Sequence, residues 1–388
     1  MKISKQKIMQ LFGILSGKYA LTGPDSVQID LTNMCNNNCI GCWCNSPLLE
    51  EKAMEPSAKQ QTLSFEILKN LIDDLKIMGT KRVFLCGGGE PLMHPKIKEI
   101  IEYIKNKKMI CALNTNFTLV NEELAKWFVD IGLDELTISL WASNPKTYEK
   151  THPNKTSNDF EKIRRTIKLM QDYKKKVGKK KPVVKIYNVI FNLNYKEIKE
   201  MINFARSVNA EMIEFAPLDP IPKKTDVLLL NKKQRLELLK EVKEILIEKK
   251  NGRYKNLNVL IENFYERIKN ENSEIGVYDD KVVDEIPCYV GWVFARIMAD
   301  GNVIPCLKAH KMPLGNIYKK SFKKIWNSKE YQEFRKMAVN FKKTHPYFKL
   351  IGNNPKYGCF SSCDNISDNK NIYNNILIKI FRGKIKKF

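Results

Sequence analysis

The sequence predicts an α/β protein in which a partial (β/α)6 barrel of the TIM type precedes a small cysteine-rich module. β-rich runs alternate with helical patterns from residue 26 to about residue 220. A long charged helix follows at 231–250. Two groups of four cysteines lie far apart in the chain, within 35–44 and 288–363. Together these features predict one barrel followed by one smaller module.

Each predicted strand is a short run rich in β-branched and aromatic residues. The six runs are 26–32, 82–89, 109–116, 135–142, 183–191 and 211–218. The helices between them carry apolar residues three and four positions apart, in 65–79, 96–106, 121–132, 159–175 and 195–209. Strands that alternate with helices form a parallel sheet with right-handed crossovers. Six units instead of eight indicate an incomplete barrel.

The same patterns divide the chain into five regions. They are an N-terminal amphipathic segment (1–25), the barrel (26–220), a helical connector (221–285), the cysteine-rich module (286–365) and a basic amphipathic tail (366–388). In the module, alternation around Asp300-Gly301 predicts a β-hairpin, and 321–339 is typical of a helix.

The composition indicates a cytoplasmic protein with a core. Apolar residues make up 43% of the chain. No apolar run reaches the roughly 18 residues of a spanning helix, and we find no signal-peptide cleavage site. Because cytoplasmic thiols stay reduced, the ten cysteines indicate metal or redox chemistry and not structural disulfides.

The net charge of +24 does not by itself indicate a nucleic-acid partner. Only ten of the 67 basic residues are arginine, and the other 57 are lysine. Proteins that recognise specific nucleic-acid sequences depend mostly on arginine for their contacts with bases. A zinc-stabilised nucleic-acid-binding protein nevertheless stays open as the alternative function. Both ends of the chain have the spacing of basic amphipathic helices, which lets them contact an anionic membrane or dock on the barrel.

The loop after the first predicted strand contains Cys35, Cys39, Cys42 and Cys44. The first three form Cys-x3-Cys-x2-Cys. Three thiolates on one loop can hold three irons of a 4Fe–4S cube and leave the fourth iron open to another ligand. A zinc site with Cys44 as the fourth ligand is the other interpretation.

Other polar residues follow neighbouring strands. The run "GGGEP" ends the second strand, "NTN" (114–116) ends the third, and Ser139 lies near the end of the fourth. In barrels of this kind the carboxyl ends of the strands meet at one mouth, where chemistry takes place. We therefore expect these residues and the cysteine loop to lie together.

The cysteine motif after the first strand, with "GGGEP" after the second, resembles the radical S-adenosylmethionine (SAM) superfamily. The resemblance implies that Cys35, Cys39 and Cys42 bind a 4Fe–4S cluster whose open iron chelates SAM. It also implies a set of SAM-binding residues: Gly88, Gly89, Glu90, Pro91, Asn114, Thr115, Asn116, Ser139 and Asn194. Many members carry an aromatic residue just before the third cysteine, where this chain has Gly41. Trp43 is expected either to cover that surface or to anchor the loop.

The second cysteine group, with Gly301-x4-Cys306, resembles the SPASM and Twitch extensions of radical SAM enzymes. The resemblance implies one auxiliary 4Fe–4S cluster, because only four cysteines are present: Cys288, Cys306, Cys359 and Cys363. Structural zinc in the same thiolates is the alternative.

The family resemblance implies a function. A reduced flavodoxin or ferredoxin would donate the electron that cleaves SAM, and the resulting 5′-deoxyadenosyl radical would abstract hydrogen from a substrate. The auxiliary cluster would then allow oxidation or cross-linking of a peptide, a sugar or lipid-linked molecule, or a small metabolite. No catalytic acid or base is identified. Four residues near strand ends are expected to be structural: His94, Tyr187, Glu214 and Asp219.

Overall fold

The computed structural model describes residues 5–354 and 356–375, and it confirms the predicted α/β fold with a parallel sheet. Within these residues the strands form one sheet. Strands β1 to β10 are Ser26–Asp30, Arg82–Cys86, Ile110–Thr115, Glu135–Ser139, Val183–Ile190, Met212–Pro217, Asn258–Leu260, Phe294–Ile297, Asn302–Ile304 and Gly315–Asn316.

The strand order in the sheet is β10-β9-β8-β1-β2-β3-β4-β5-β6-β7. Strands β1 to β7 are parallel and form the wall of the partial barrel. β8 pairs in parallel with the other edge of β1, and β9 and β10 continue antiparallel. The predicted hairpin at Asp300-Gly301 is the β8–β9 turn, where Gly301 has a φ of +82° that favours glycine. The C-terminal module thus extends the barrel sheet.

The predicted helical connector contributes a strand. β7 (Asn258–Leu260) lies inside 221–285 and pairs with β6. Its three residues are too short a run to show strand periodicity in the sequence.

Helices cover the outer face of the sheet and build the module. Helices α1 to α14 are Lys5–Ser16, Pro56–Lys59, Phe65–Ile77, Ile97–Asn106, Glu122–Asp130, Pro145–Thr151, Ser157–Lys176, Ile198–Ser207, Lys232–Lys250, Glu262–Lys269, Val290–Val293, Phe322–Trp326, Lys329–Asn340 and Ile366–Tyr373. The predicted helix over 321–339 is two helices, α12 and α13, because the helical path breaks at Asn327 and Ser328 caps the second helix.

Local sequence explains where the barrel helices start. The side chain of Ser64 accepts the N–H of Ile67 and caps α3, which buries Leu68 and Leu75. Thr156 and Asp159 form a capping box at the start of α7. The buried faces of these helices pack on the sheet in one apolar core.

A buried ion pair joins the barrel to the module. Arg296 on β8 donates from Nε and Nη2 to Oδ2 of Asp30, the last residue of β1, at 2.9 and 2.6 Å. Its Nη1 donates to the carbonyl oxygen of Leu307 at 2.9 Å. Burial alone would lower the pKa of the Arg296 guanidinium, but Asp30 outweighs burial and the net shift is upward. Arg296 therefore stays charged.

The two ends of the described chain meet at α11. Trp292 donates from Nε1 to the carbonyl oxygen of Tyr19, and the N–H of Tyr289 donates to Oδ1 of Asn369 on α14. Most of the predicted basic tail, residues 376–388, lies outside the described residues. No helix in 5–354 or 356–375 is long and apolar enough to cross a membrane.

Substituting Arg296→Met should destabilise the protein, because Asp30 would remain buried without its partner. We expect a loss of about 3–5 kcal/mol in the free energy of unfolding, measured by urea denaturation followed by circular dichroism. Arg253→Met breaks the surface pair with Glu248, in which the arginine side chain is 62% exposed, and should cost less than about 1 kcal/mol. Equal losses in the two variants would contradict a structural role for the buried pair.

Candidate active site

The cysteine loop is held in place by asparagine side chains. Asn38 and Asn154 each donate a backbone N–H to the other's side-chain oxygen, at 3.1 and 2.9 Å. Asn36 donates to Thr118 and accepts from Asn116, so the loop is also tied to the end of β3. These contacts were not predicted from the sequence, although the three consecutive asparagines between Cys35 and Cys39 indicate that the loop makes polar contacts.

The three predicted ligands of the loop lie close enough to interact electrostatically. Cys42 raises the pKa of both Cys35 and Cys39, and burial, the larger cause, takes the pKa of the Cys35 thiol to about 12. The pKa of Cys42 falls to about 6 because the Cys44 thiol donates a hydrogen bond to its sulfur. The loop therefore gathers three half-buried cysteines.

Backbone N–H groups point at these sulfurs. The N–H of Asn37 lies 3.4 Å from the sulfur of Cys35, and those of Cys44 and Asn45 lie 3.4 Å from the sulfur of Cys42. Hydrogen bonds of this kind stabilise thiolates and tune iron–sulfur clusters. Cys44 thus has a definite place in the loop as a hydrogen-bond donor to Cys42.

A zinc ion holds each sulfur at about 2.3 Å, so its ligands must converge on one point. Among residues 5–354 and 356–375, no three histidine, cysteine, aspartate or glutamate side chains converge in that way.

The glycine run is required by its contact with the cysteine loop. The N–H of Gly89 donates to the carbonyl oxygen of Thr32 at 3.0 Å, and that of Glu90 donates to Met34 at 2.8 Å. A Cβ at Gly89 would lie 2.0 Å from the Met34 oxygen. The N–H groups of Gly89 and Glu90 therefore hold the glycine run against the cysteine loop.

Glu90 braces two strand ends. Its carboxylate is 2% exposed and accepts from the Thr115 hydroxyl at 2.6 Å and from the N–H groups of Asn116 and Leu92 at 2.7 and 3.1 Å. Burial raises its pKa to about 7. Pro91 follows at the start of a 3-10 turn (Pro91–Met93) that Glu90 caps. The polar groups of Glu90, Thr115 and Asn116 are therefore engaged in hydrogen bonds with one another and with the cysteine loop.

The other predicted SAM-binding residues fall into two groups. Asn194 donates to the carbonyl oxygens of Trp141 and Val189, both at 2.9 Å, so it braces the ends of β4 and β5. Asn114 has a buried Oδ1 with no hydrogen-bond partner, and Ser139 ends β4. The unpaired oxygen of Asn114 is available to a ligand.

The four C-terminal cysteines line one cavity, here called the auxiliary cavity, with Val290, Phe334, Phe348 and Ile351 among the apolar side chains around them. Burial, followed by the neighbouring sulfurs, raises the pKa of three of these thiols: Cys306, Cys359 and Cys363. A positive cluster would offset the cost of ionising them. The structure thus brings the predicted set together.

A second cavity of about 290 Å³, here called the central cavity, lies between the two cysteine groups. Its walls include Cys42 and Gly88 from the first site and Asp364 and Ser362 from the module. Lys308 lines both cavities. Lys308 was not predicted as a site residue from the sequence, although its position two residues after Cys306 indicates that it lies near the auxiliary cavity.

Asp219 and Lys308 connect the first cysteine loop to the C-terminal cysteine group. The Asp219 carboxylate accepts from the Lys308 ammonium and from the Ser362 hydroxyl, while its backbone oxygen accepts from Trp43 Nε1 at 2.8 Å. The Lys308 nitrogen also lies 4.2 Å from the centre of the Trp43 ring. Trp43 follows Cys42 directly and Ser362 precedes Cys363, so this cluster fixes one cysteine loop against the other.

The cations that line the central cavity are paired. Arg296 pairs with Asp30, and Lys308 pairs with Asp219. Arg267 pairs with Asp279 at 2.8 Å and lies 3.4 Å from Asp364. The remaining wall is mostly aromatic and aliphatic, with Trp141, Tyr187, Tyr278, Val189 and Leu218. The cavity thus has no surplus positive charge for a polyanionic ligand.

Two family models match the chain. Residues 29–205 match the radical SAM superfamily, and residues 288–364 match the SPASM iron–sulfur cluster-binding domain. Together the two ranges cover more than half of the chain.

Individual proteins agree with this result. The chain is 24% identical to a tungsten-containing aldehyde ferredoxin oxidoreductase cofactor-modifying protein of Pyrococcus furiosus, over 81% of this chain and 83% of that one. It is 27% identical to the antilisterial bacteriocin subtilosin biosynthesis protein AlbA of Bacillus subtilis, over 81% of this chain and 62% of that one.

A solved structure shares the fold. The crystal structure of Streptococcus suis SuiB bound to its precursor peptide SuiA superposes with a TM-score of 0.63 at 16% identity, over 92% of this chain and 76% of SuiB. The chain therefore belongs to the radical SAM superfamily and carries a C-terminal SPASM iron–sulfur domain.

Proposed function

We propose that this protein is a radical SAM oxidoreductase that oxidises or cross-links a side chain of a peptide. The central cavity carries this proposal, because it connects the two cysteine groups and has aromatic walls in which each cation is paired. A peptide side chain fits such walls better than a phosphorylated sugar or nucleotide, which would need unpaired cations. AlbA, a bacteriocin biosynthesis protein, and SuiB with its precursor peptide support the same substrate class.

The residues of the first site would hold the cluster and SAM. Cys35, Cys39 and Cys42 would bind three irons, and the N–H groups of Asn37, Cys44 and Asn45 would stabilise the thiolates. When bound, the cluster and SAM supply the 5′-deoxyadenosyl radical that abstracts hydrogen from the substrate. Our proposed SAM-binding set is Gly88, Gly89, Glu90, Pro91, Asn114, Thr115, Asn116, Ser139 and Asn194, in which Glu90, Thr115, Asn116 and Asn194 shape the pocket through internal hydrogen bonds.

The auxiliary cavity would hold one 4Fe–4S cluster. Its four cysteines would leave no iron open, which suits electron transfer better than binding of substrate. Abstraction of a hydrogen atom takes one proton and one electron from the peptide. When bound, the auxiliary cluster would supply an acceptor for the second electron, which an oxidised flavodoxin or ferredoxin would take up, and the second proton would be released to water. The peptide is then oxidised by two electrons in total.

Metal content tests both sites. Protein reconstituted without oxygen should be brown and hold about eight irons, as expected for two 4Fe–4S clusters. Replacing Cys35, Cys39 and Cys42 by alanine should remove half of the iron and abolish 5′-deoxyadenosine formation with dithionite. Cys359→Ala with Cys363→Ala should remove the other half and retain 5′-deoxyadenosine formation.

Cys111→Ala is the matched control, because Cys111 is buried in β3 and is in neither cysteine group. Its iron content and 5′-deoxyadenosine yield should equal those of the unmodified protein. A colourless protein that binds zinc and yields no 5′-deoxyadenosine would refute the proposed function.

The substrate class is tested with a panel of synthetic short peptides, which includes any peptide found to be encoded beside the gene. Incubation with SAM and a reductant should yield a peptide that has lost two hydrogens, detected by mass spectrometry. Phosphorylated sugars and nucleotides should not be modified. Conversion of a nucleotide without any change in the peptides would contradict a peptide substrate.

Asp219→Asn should uncouple the two sites. The amide cannot pair with Lys308 as a carboxylate does, so the position of one cysteine loop against the other is loosened. With a peptide that is modified, we expect the ratio of modified peptide to 5′-deoxyadenosine to fall by about tenfold or more, since small misplacements of reacting groups are costly. The ratio is measured by liquid chromatography and mass spectrometry.

Glu214→Gln is the control for Asp219→Asn. Glu214 lies within β6, five residues before Asp219, and pairs with Lys185 at 2.5 Å, so its substitution also removes a carboxylate that pairs with a lysine. Its product ratio should change little. A similar fall in both variants would mean that Asp219 has no special role in joining the sites.

A further inference from the structure

Helix α1 is fixed in one rotation on the body of the protein. Gln10 donates from Nε2 to the carbonyl oxygen of Trp292 at 3.3 Å and to Asp25 Oδ2 at 3.1 Å. A Cβ at Gly13 would lie 2.9 Å from the oxygen of Tyr19 and 3.3 Å from the ring of Trp292. Because this side of α1 is packed so closely, the opposite side must face outward.

The outward side is apolar. Ile8 and Phe12 lie one turn apart on the same face and are 42% and 55% exposed. Tyr19 and Leu21, just after the helix, are also exposed, at 51% and 50%, but their backbone lies against Gly13 on the packed side. Neighbouring exposed apolar side chains on one helix face indicate an interaction site. Ile8 and Phe12 are here called the α1 face.

The sequence around the α1 face is basic and free of acidic residues. No aspartate or glutamate precedes Asp25, and four lysines do: Lys2, Lys5, Lys7 and Lys18. Asp25 itself is paired with Lys7 at 3.3 Å. After Asp368 the sequence again has no acidic residue, and it has five lysines and one arginine.

The N-terminal segment before Asp25 and the C-terminal segment after Asp368 both contact the protein near α11. Trp292 on α11 donates to Tyr19, and Tyr289, the residue just before α11, donates to Asn369. Asp25 also acts on the pKa of Asp368, so the two segments start close together. α1 and α11 precede β1 and β8, whereas the cysteine loop follows the carboxyl end of β1. Occupation of the α1 face therefore leaves the mouth of the barrel open.

We propose that the α1 face docks on an anionic lipid bilayer. Its apolar side chains would enter the boundary between headgroups and acyl chains, and the neighbouring lysines would contact lipid phosphates. A nucleic acid would bind the lysines but would leave Ile8 and Phe12 in water. The basic segment 376–388 of the same chain would repel the lysines around α1, so the charges favour an anionic partner.

The test uses full-length protein and vesicles in a sedimentation assay. Binding to vesicles of phosphatidylcholine with phosphatidylglycerol should be at least about tenfold stronger than binding to phosphatidylcholine alone, and salt should weaken it. Ile8→Ser with Phe12→Ser should lower binding by about tenfold or more. Lys5→Glu with Lys18→Glu should lower binding to the anionic vesicles to a similar degree.

Leu236→Ser with Ile247→Ser is the matched control, because these α9 side chains are 51% and 61% exposed. This variant should bind vesicles like the unmodified protein, and circular dichroism should show that all variants are folded. Equal binding by the Ile8/Phe12 variant and the unmodified protein, or no binding by the unmodified protein, would overturn the proposal.

Discussion

The pairing of β8 with β1 is the constraint on which the arrangement of the two cysteine groups depends. β1 leads directly into the cysteine loop, and β8 belongs to the module, where it follows Cys288 and precedes Cys306, Cys359 and Cys363. The backbone hydrogen bonds between these strands, reinforced by Arg296 and Asp30, therefore set where the auxiliary cavity lies relative to the barrel mouth. A module joined by a flexible connector alone would lose this fixed relation.

Ion pairs add further connections between the module and the barrel. Lys308 joins the module to Asp219 at the end of β6, and Arg267 joins α10 to Asp364 beside the last cysteine. Buried ion pairs contribute little net stability, because desolvation offsets their attraction, but a lost partner is costly. Such pairs thus restrict the module to one position on the barrel. They also neutralise the central cavity, which leaves its aromatic walls to select the substrate.

Much of the fold could be predicted from the sequence because its signals are local. Alternation of strands and helices and the spacing of Cys35, Cys39 and Cys42 are visible within short windows. β7 has three residues and gives no periodic signal. The Asp30–Arg296 pair joins residues 266 positions apart, and nothing near either residue identifies the other. The same is true of Asp219, which looked like an ordinary loop residue until the module placed Lys308 against it.

Gly41 shows how a departure from a family motif can be balanced elsewhere in the fold. A Cβ at this position would lie 2.7 Å from a methyl group of Leu218, so a larger side chain here would require Leu218 to move. The ring of Trp141 lies 3.7 Å from the same point. Trp141 follows β4 with a φ of +59°, an uncommon conformation for a bulky residue, and Asn194 holds its carbonyl oxygen. The end of β4 therefore places an aromatic ring beside Gly41, and Leu218 and Trp141 occupy the space that a side chain at position 41 would enter.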